Sequence, residues 1–435
     1  MNYKNTKYYL HNKELSCNFL AETVSSDGGL FLLERLEQKH RIIQDFSKLF
    51  EDKRHPSYIE HSVYDILKQR IFLIMQGYED ANDIKYLEKD PVLNSVLSDS
   101  LASQSTVSRL ENSVALNKII SMSIWFMDEY VRSIPQDKQQ IIIDVDATDD
   151  PTHGNQQYTL YNGYYQEMMY SELLFHDGET GQVILPVLRP GNAHSNKWFV
   201  PILKRLVKKI YKSHPDIEII IRADSGFSGA KFYKLADKLN LKFCVGMPAN
   251  ERLKKKTEMS RQYIQKQYVA QKIKYKLFVP AFEYKADSWA KPEQCYAKIE
   301  STGRGLNVRY FCSNMDGQVA DELYHNFYVM RGEASENRIK ELKSMCFSDR
   351  LSCTSFTANY IRLFLSTLAY ELFRKLKELI KTIGDKEASR WLINNLRLFV
   401  LKIGTIVKTK KRRITVSFTK HYKCKELLVN IFALC

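Results

Sequence analysis

The sequence predicts a mixed α/β protein of the α+β type, in which a mixed sheet with flanking helices follows an all-α region. Three observations lead to this prediction. Apolar residues recur at helical spacing up to about residue 133. From Gln139 onward, short β-branched runs alternate with amphipathic segments. The first of these runs are joined by hairpin signals, which excludes an all-parallel sheet.

The composition indicates a polyanionic partner. The chain has 435 residues, with 65 Lys and Arg against 50 Asp and Glu, for a formal charge of +15. Each phosphate that a cation neutralises releases a condensed counterion, so such an excess suits nucleic acid. A membrane surface, or basicity with no partner, would give the same count.

Several classes of protein are disfavoured. Met1–Phe19 is polar and has no apolar core of a secretory signal. The longest apolar stretch, Ile361–Phe373, is interrupted by Arg362 and Glu371 and is too short to span a bilayer. The eight cysteines are scattered without a C-x-x-C pair, which argues against a disulfide framework or a zinc ribbon. We expect a cytoplasmic, nucleoid-associated protein with reduced thiols and no membrane contact.

Residues 1–132 are predicted to form a helical DNA-binding region. Within it, Asp90–Leu97, a polar turn and Ser103–Leu116 are typical of a helix-turn-helix. Ser103 can cap the second helix, whose early polar residues include Gln104 and Arg109 and could face a DNA groove. The alternative is a surface helix of an all-α bundle.

Residues 139–249 carry the predicted sheet. A β-branched run ends at Asp146, two further runs flank a turn with two glycines, and a helix–strand–helix–strand series follows. The predicted elements are Ile141–Asp146, Tyr165–His176, Gln182–Arg189, Asn196–Lys212, Ile217–Ala223, Lys231–Leu239 and Lys242–Gly246.

The rest of the chain is predicted to form three parts. Residues 250–317 make a β-rich insertion with a basic face, and residues 318–383 return to helix. Residues 384–435 form a basic C-terminal region, in which the cluster Lys408–Arg413 precedes the strand Ile414–Phe418.

Two aspartates end neighbouring strands in this prediction, Asp146 after the first strand and Asp224 after Ile217–Ala223. If the strands lie side by side, the carboxylates converge. Two Mg²⁺ ions about 3.5–4 Å apart need such oxygen ligands for phosphodiester displacement. Glu336 is the candidate third carboxylate, because it shares a helix face with Lys340 and Lys343.

Each acid also has a simpler interpretation. An aspartate at a strand end often only caps a loop. Asp144 lies two residues before Asp146, on the same face of the strand, and could be the first ligand instead. Asp149, Asp150 and His153 follow closely, which suggests either a transition-metal site or, more simply, loop solvation.

A longer motif identifies a family. Tyr328-Val329-Met330-Arg331, followed by Glu336 and, after six residues, Lys343, resembles the Tyr-x2-Arg-x3-Glu-x6-Lys signature of DDE transposases from bacterial insertion sequences. The spacing between Arg331 and Glu336 is four residues instead of three. Other blocks resemble one subfamily: Gly77–Asp80, Leu101–Gln104, Asp144–Gly154, Leu188–Asn192 and Asp224–Phe227.

The resemblance implies a ribonuclease H-like catalytic domain that the β-rich insertion interrupts before the helix bearing Glu336. It implies that Asp146, Asp224 and Glu336 hold two Mg²⁺ or Mn²⁺ ions and carry the catalysis. The residues expected to contact DNA are Tyr328, Arg331, Lys340 and Lys343 near the cut, with Gln104 and Arg109 in the helical region.

The activity that follows is cut-and-paste transposition. The expected partners are the double-stranded inverted repeats at the transposon ends and the target DNA, bound by a homodimer. Two alternatives remain at the level of the sequence. One is a metal-dependent nuclease of the same fold that cuts but does not join; the other is a sequence-specific DNA-binding protein without catalysis.

Overall fold

The computed structural model describes residues 6–10, 13–17, 23–97, 100–271, 274–303, 305–315 and 317–435. The chain forms two compact units, Met1–Leu110 with Leu368–Cys435 and Glu111–Thr367. None of the described helices is long and apolar enough to cross a membrane.

The N-terminal part of the first unit is mostly helical, as predicted. A capping box between Ser62 and Asp65 starts the helix Val63–Gln76, and Gly77, with a φ of 93°, ends it in the left-handed conformation. Its elements are β1 (Thr6–Leu10), β2 (Lys13–Cys17), β3 (Val24–Ser25), α1 (Leu30–His40), α2 (Ile42–Ser47), α3 (Val63–Gln76), α4 (Ile84–Leu87), α5 (Pro91–Val96) and α6 (Gln104–Asn112).

The two helices of the predicted helix-turn-helix are α5 and α6. The Asp90 carboxylate accepts the backbone N–H groups of Val92 and Leu93, both at 2.9 Å. The Ser103 hydroxyl accepts the backbone N–H of Thr106 at 3.3 Å, so it caps α6 as predicted. The helix ends at Asn112, four residues earlier than expected, and the first two residues of the predicted turn lie outside the described residues.

The second unit contains the sheet, which is mixed as predicted. Its strand order is β10-β11-β12-β9-β8-β4-β6-β5 with β7 paired to β6, and among the described strands only the β4–β8 and β8–β9 pairs are parallel. The strands are β4 (Gln140–Pro151), β5 (Leu160–Asn162), β6 (Glu167–Asp177), β7 (Val183–Pro190), β8 (Glu218–Ala223), β9 (Lys242–Met247), β10 (Lys276–Tyr284), β11 (Glu293–Thr302) and β12 (Gly305–Ser313).

The predicted β-rich insertion therefore extends the same sheet, because β12 pairs with β9. The helices of this unit are α7 (Leu116–Ser133), α8 (Phe199–Ser213), α9 (Ala230–Leu239), α10 (Glu251–Lys256), α11 (Glu258–Gln271), α12 (Ala320–Glu322) and α13 (Val329–Lys340). Two π-helical segments, Leu323–Tyr328 and Glu341–Met345, flank α13.

The C-terminal elements are α14 (Phe356–Ile383), α15 (Ile393–Leu396), β13 (Thr405–Lys410), β14 (Arg413–Phe418) and α16 (Lys425–Leu434). The predicted strand Ile414–Phe418 is thus one arm of a hairpin. This hairpin completes a three-stranded sheet with β3, so both ends of the chain contribute to the first unit.

The expectation of reduced thiols is wrong at one position. Cys295 on β11 and Cys312 on β12 lie directly opposite each other and form a disulfide. Their separation of 17 residues gives no sequence signal, because only the register of the two strands brings them together.

Candidate active site

Asp146 and Asp224 lie side by side where the pairing of β4 with β8 ends, although the strand predicted to end at Asp146 continues to Pro151 and pairs there with β6. In the parallel β4–β8 pair, the last paired residues are Val145 and Ala223, and each aspartate follows directly. The Asp224 carboxylate accepts the backbone N–H of Gly226 at 2.8 Å, which fixes its direction at the start of a short 3-10 turn. The sheet therefore brings together the first two predicted site residues.

Arg331 neutralises Asp146. One guanidinium nitrogen of Arg331 lies 2.7 Å from each carboxylate oxygen of Asp146. Burial raises the pKa of Asp146 to about 6; the charge of Arg331 opposes this increase, and that of Asp224 adds to it. In the structure without DNA, Arg331, which is predicted to contact DNA, binds the Asp146 carboxylate.

Asp144, the alternative first ligand, has other partners. Its side chain is 1% exposed and accepts two hydrogen bonds from Arg222, at 2.7 and 2.9 Å. A third, from Arg338, measures 3.2 Å. With its carboxylate committed to two arginines, Asp144 has the surroundings of a structural ion pair, which favours Asp146 as the ligand.

Glu336 does not meet the two aspartates. One face of α13 packs on the sheet and carries Arg331, Ser335 and Arg338. These residues share a face because Ser335 is four residues after Arg331 and Arg338 is three residues after Ser335. Glu336 is one residue further along, about 100° around the helix from Ser335, and its side chain is exposed.

This orientation is the consequence of the spacing noted in the sequence. The three-residue spacing of the signature would put the acid at position 335, which is Ser335, 1% exposed and with no hydrogen-bond partner for its hydroxyl among the described residues. An extra residue in a helix is usually absorbed as a π-helical turn. The segments Leu323–Tyr328 and Glu341–Met345 have that geometry on either side of α13.

The other residues predicted near the cut differ in exposure. Tyr328 is half-buried and stacks on Phe311, with ring centroids 5.6 Å apart. Lys343 donates to the Thr148 hydroxyl at 3.3 Å and to the Asp149 carbonyl at 2.5 Å. Lys340 is exposed, as is Arg109 in the first unit, whereas Gln104 is half-buried.

The prediction of loop solvation is wrong for Asp150, which is buried in β4 beside Glu172, a residue that the sequence did not single out. Asp150 and Glu172 are fully buried and within hydrogen-bonding reach of each other, and a hydrogen bond between the two carboxyl groups requires a proton on one of them. Burial raises the pKa of both, so the pair retains a proton; the ammonium of Lys343, 3.9 Å from Asp150, opposes the shift. The alternation Asp144, Asp146, Thr148, Asp150 indicates one face of a strand, but Glu172 joins it only through the register of β6.

The donor set fits a divalent metal in part. Among the described residues, no cluster of three or more His, Cys, Asp or Glu side chains is placed to hold a metal ion. Asp146, within β4, and Asp224, directly after β8, supply two hard oxygen donors of the kind that Mg²⁺ and Mn²⁺ prefer. Glu336 does not complete the set in its present orientation. His153 is exposed, and it belongs to no such cluster among the described residues.

Comparison with known proteins gives one extensive match. The family described as transposase DDE domain group 1 matches residues 7–434. Two similar solved structures are a piggyBac transposase synaptic complex with hairpin DNA (14% identity, TM-score 0.45, 87% of this chain and 80% of that chain) and the Drosophila P element transposase strand transfer complex (10%, TM-score 0.27, 83% and 85%). No curated protein matches the sequence.

Proposed function

The chain belongs to the transposase DDE domain group 1 family and is therefore a DNA transposase, and we propose that Asp146, Asp224 and Glu336 carry its chemistry. The proposed reaction is cut-and-paste transposition: hydrolysis at each transposon end frees a 3′-hydroxyl, which then joins to target DNA. The observation that supports the proposal most is the parallel register of β4 and β8, which puts Asp146 beside Asp224.

Asp146 and Asp224 would hold the divalent metal, with two ions as the expected number. When bound, such ions supply a Lewis acid for the attacking and leaving oxygens of an in-line displacement. The rigid sheet edge keeps the two carboxylates in place, so little reorganisation is needed before the reaction. Asp144 acts through Arg222 and Arg338 by holding β4, β8 and α13 together.

Arg331 and Lys343 would exchange partners when DNA arrives. Both cations now contact oxygens of β4, and their side chains are 14% and 15% exposed. A phosphate of the DNA offers Arg331 and Lys343 another anionic partner with charge-assisted hydrogen bonds, and a metal ion held by Asp146 would compete with Arg331 for the same carboxylate. In this proposal the two residues keep the acidic site neutral without DNA and hold the scissile phosphate with it.

Glu336 would become the third ligand after α13 turns by one residue. A turn of about 100° replaces Ser335 by Glu336 on the face toward the sheet. The flanking π-helical segments support this step, because each contains the extra residue that such a shift redistributes.

The main test is an assay of DNA cleavage and joining with Mn²⁺ and DNA from the ends of the element. Asp146→Ala, Asp224→Ala and Glu336→Ala should each abolish cleavage and leave DNA binding within a few fold. Asp216→Ala, at an exposed position of the same unit, is the matched control and should retain activity. Cut but unjoined products would indicate a nuclease, and a mobility shift alone would indicate a DNA-binding protein without catalysis.

A rescue experiment tests the turn of α13. In Ser335→Glu combined with Glu336→Ala, the carboxylate occupies the inward position at the signature spacing. Cleavage should return in this double variant if that position is the ligand position. If the double variant melts like wild type and stays inactive, Glu336 must act from its exposed side and the proposed turn is wrong.

We also propose a homodimer in the DNA complex, since two transposon ends must be cut and joined together. Light scattering of the protein with a short end duplex should give two chains per complex. One chain on each duplex at all concentrations would contradict the proposal.

A further inference from the structure

The hairpin formed by β13 and β14, Thr405–Phe418, pairs with another strand at its base. β13 pairs with β3 at Thr405 and Ile406 and has no other neighbour but β14 among the described strands. At the same end, the ring of Phe418 lies 6.2 Å from that of Phe432 on α16. Beyond Val407, which is 7% exposed, the hairpin is a two-stranded ribbon with exposed residues.

The tip of this ribbon is a concentration of positive charge. Lys410, Lys411, Arg412 and Arg413 are consecutive, and all four side chains are exposed. None of the four forms an ion pair or a side-chain hydrogen bond with the part of the chain that the structure describes. Lys410 lies directly opposite Arg413, and like charges in opposed positions destabilise a hairpin. The folded protein does not compensate this repulsion, whereas a polyanion would.

The two faces of the ribbon differ in chemistry. Side chains alternate between faces, so Lys408 with Thr415 and Lys410 with Arg413 share one face, which is polar and cationic. The opposite face at the tip carries Thr409 and Ile414, and the Ile414 side chain is 47% exposed. Cations can reach phosphates or guanine acceptors, and methyl groups can contact thymine methyl groups.

The dimensions of the ribbon match one groove of B-form DNA. The three exposed residue pairs beyond Val407 extend roughly 10 Å at about 3.4 Å per residue. The major groove is about 8.5 Å deep and about 12 Å wide and accepts a two-stranded ribbon, whereas the minor groove is only about 6 Å wide. The deep, narrow major groove of an A-form RNA duplex excludes such an element.

From these observations we propose that the hairpin Thr405–Phe418 inserts its tip into the major groove of duplex DNA. The inference rests on the proposed function, since the DNA is the substrate of transposition. The hairpin would be a second DNA contact, far along the chain from the predicted helix-turn-helix. Its cationic face would lie toward the DNA backbone and the bases, with Ile414 within the groove.

The test measures binding without metal, so that it does not depend on cleavage. The probes are a 30-base-pair DNA duplex of mixed sequence and the RNA duplex of the same sequence, titrated by fluorescence anisotropy over a range of KCl concentrations. The variant replaces Lys410, Lys411, Arg412 and Arg413 with Gln. The matched control makes the same charge change on the exposed face of α8, at Lys204, Arg205, Lys208 and Lys212.

For the DNA duplex, the slope of log K against log[KCl] should become shallower in the hairpin variant by about 2 to 4, since each lost phosphate contact contributes about 0.9. The control variant should change it by less than about 1. Affinity for the RNA duplex should change little in either variant. If affinity falls equally for DNA and RNA, or equally in the hairpin and control variants, the effect comes from the total charge of the protein. Either result would overturn groove insertion.

An exposed apolar residue separates insertion from surface contact. Ile414→Ser leaves the charge unchanged and should weaken DNA binding at least threefold, because Ile414 is buried in the groove only if the tip enters it. An unchanged affinity would contradict insertion. Hairpin-dependent binding by a wild-type protein that never cleaves DNA would refute the proposed function and leave this inference standing.

Discussion

Replacing Asp144 with Asn should destabilise the second unit, although Asp144 lies on the same face of β4 as the acidic residues Asp146 and Asp150. Its side chain is 1% exposed and the partner side chain of Arg222 is 5% exposed, with the two N–O distances at 2.7 and 2.9 Å. An asparagine can accept one of these hydrogen bonds, but its amide N–H group then faces the second guanidinium nitrogen. Arg222 is left as a buried cation without its counter-ion, and Arg338 loses one acceptor.

Removing one partner of a buried ion pair typically costs about 3–5 kcal/mol. We expect about 3 kcal/mol for Asp144→Asn, because one hydrogen bond survives. At about 2–4 °C for each kcal/mol in a unit of this size, the melting temperature should fall by roughly 6–12 °C. Asp144→Leu with Arg222→Met removes both charges and should recover more than half of the loss, since apolar replacement of a buried pair is often close to neutral.

The assay is scanning calorimetry at about pH 7 with and without millimolar Mn²⁺, and Asp146→Asn is the matched comparison. Asp146 is also paired, with Arg331, but burial and the charge of Asp224 already disfavour its ionised form, so its neutralisation should lower the metal-free melting temperature less than Asp144→Asn does. Mn²⁺ should raise the melting temperature of wild type and of Asp144→Asn, but less that of Asp146→Asn. If Asp144→Asn melts like wild type and also loses the Mn²⁺ effect, Asp144 is the ligand and the structural assignment is wrong.

Three further predictions follow from the described contacts. Asp224→Asn keeps an oxygen to accept the Gly226 N–H, so without metal it should melt at or above the wild-type temperature, and a clear decrease would make Asp224 a structural cap. Asp150 and Glu172 have raised pKa values in the folded protein, so the free energy of unfolding should fall as pH rises above about 4.5, where the carboxyl groups of the unfolded chain ionise first. Glu172→Gln should make the melting temperature depend less on pH between about pH 5 and 8. If the melting temperatures of the variant and of wild type fall in parallel, the two carboxyl groups do not share a proton. Arg109→Ala should reduce discrimination between specific and random DNA by about 1–3 kcal/mol in competition binding, whereas equal losses on both would make the exposed Arg109 a phosphate contact.

The sequence alone predicted the mixed sheet, the strand end that Asp224 follows, and the capped helices α5 and α6, whereas the strand predicted to end at Asp146 continues to Pro151. These features depend on residues close together in the chain. Alternation along a strand, a capping side chain and a short hairpin connection are all local, and such patterns persist in many tertiary contexts. The family match agrees with the signature found around Tyr328 and Lys343.

The partners of each charge were decided by the tertiary structure. Nothing local indicates that Asp144 pairs with Arg222, that Glu172 faces Asp150, or that Cys295 meets Cys312, because strand register sets all three. The direction of Glu336 has a different origin, because the four-residue spacing after Arg331 is visible in the sequence and the packing of α13 only shows its effect. One extra residue turns a helix by about 100°. A spacing of four residues instead of the three in the signature therefore separates a buried position, Ser335, from an exposed one, Glu336. Sequence patterns specify which faces exist, and only packing specifies which side chains those faces bring together.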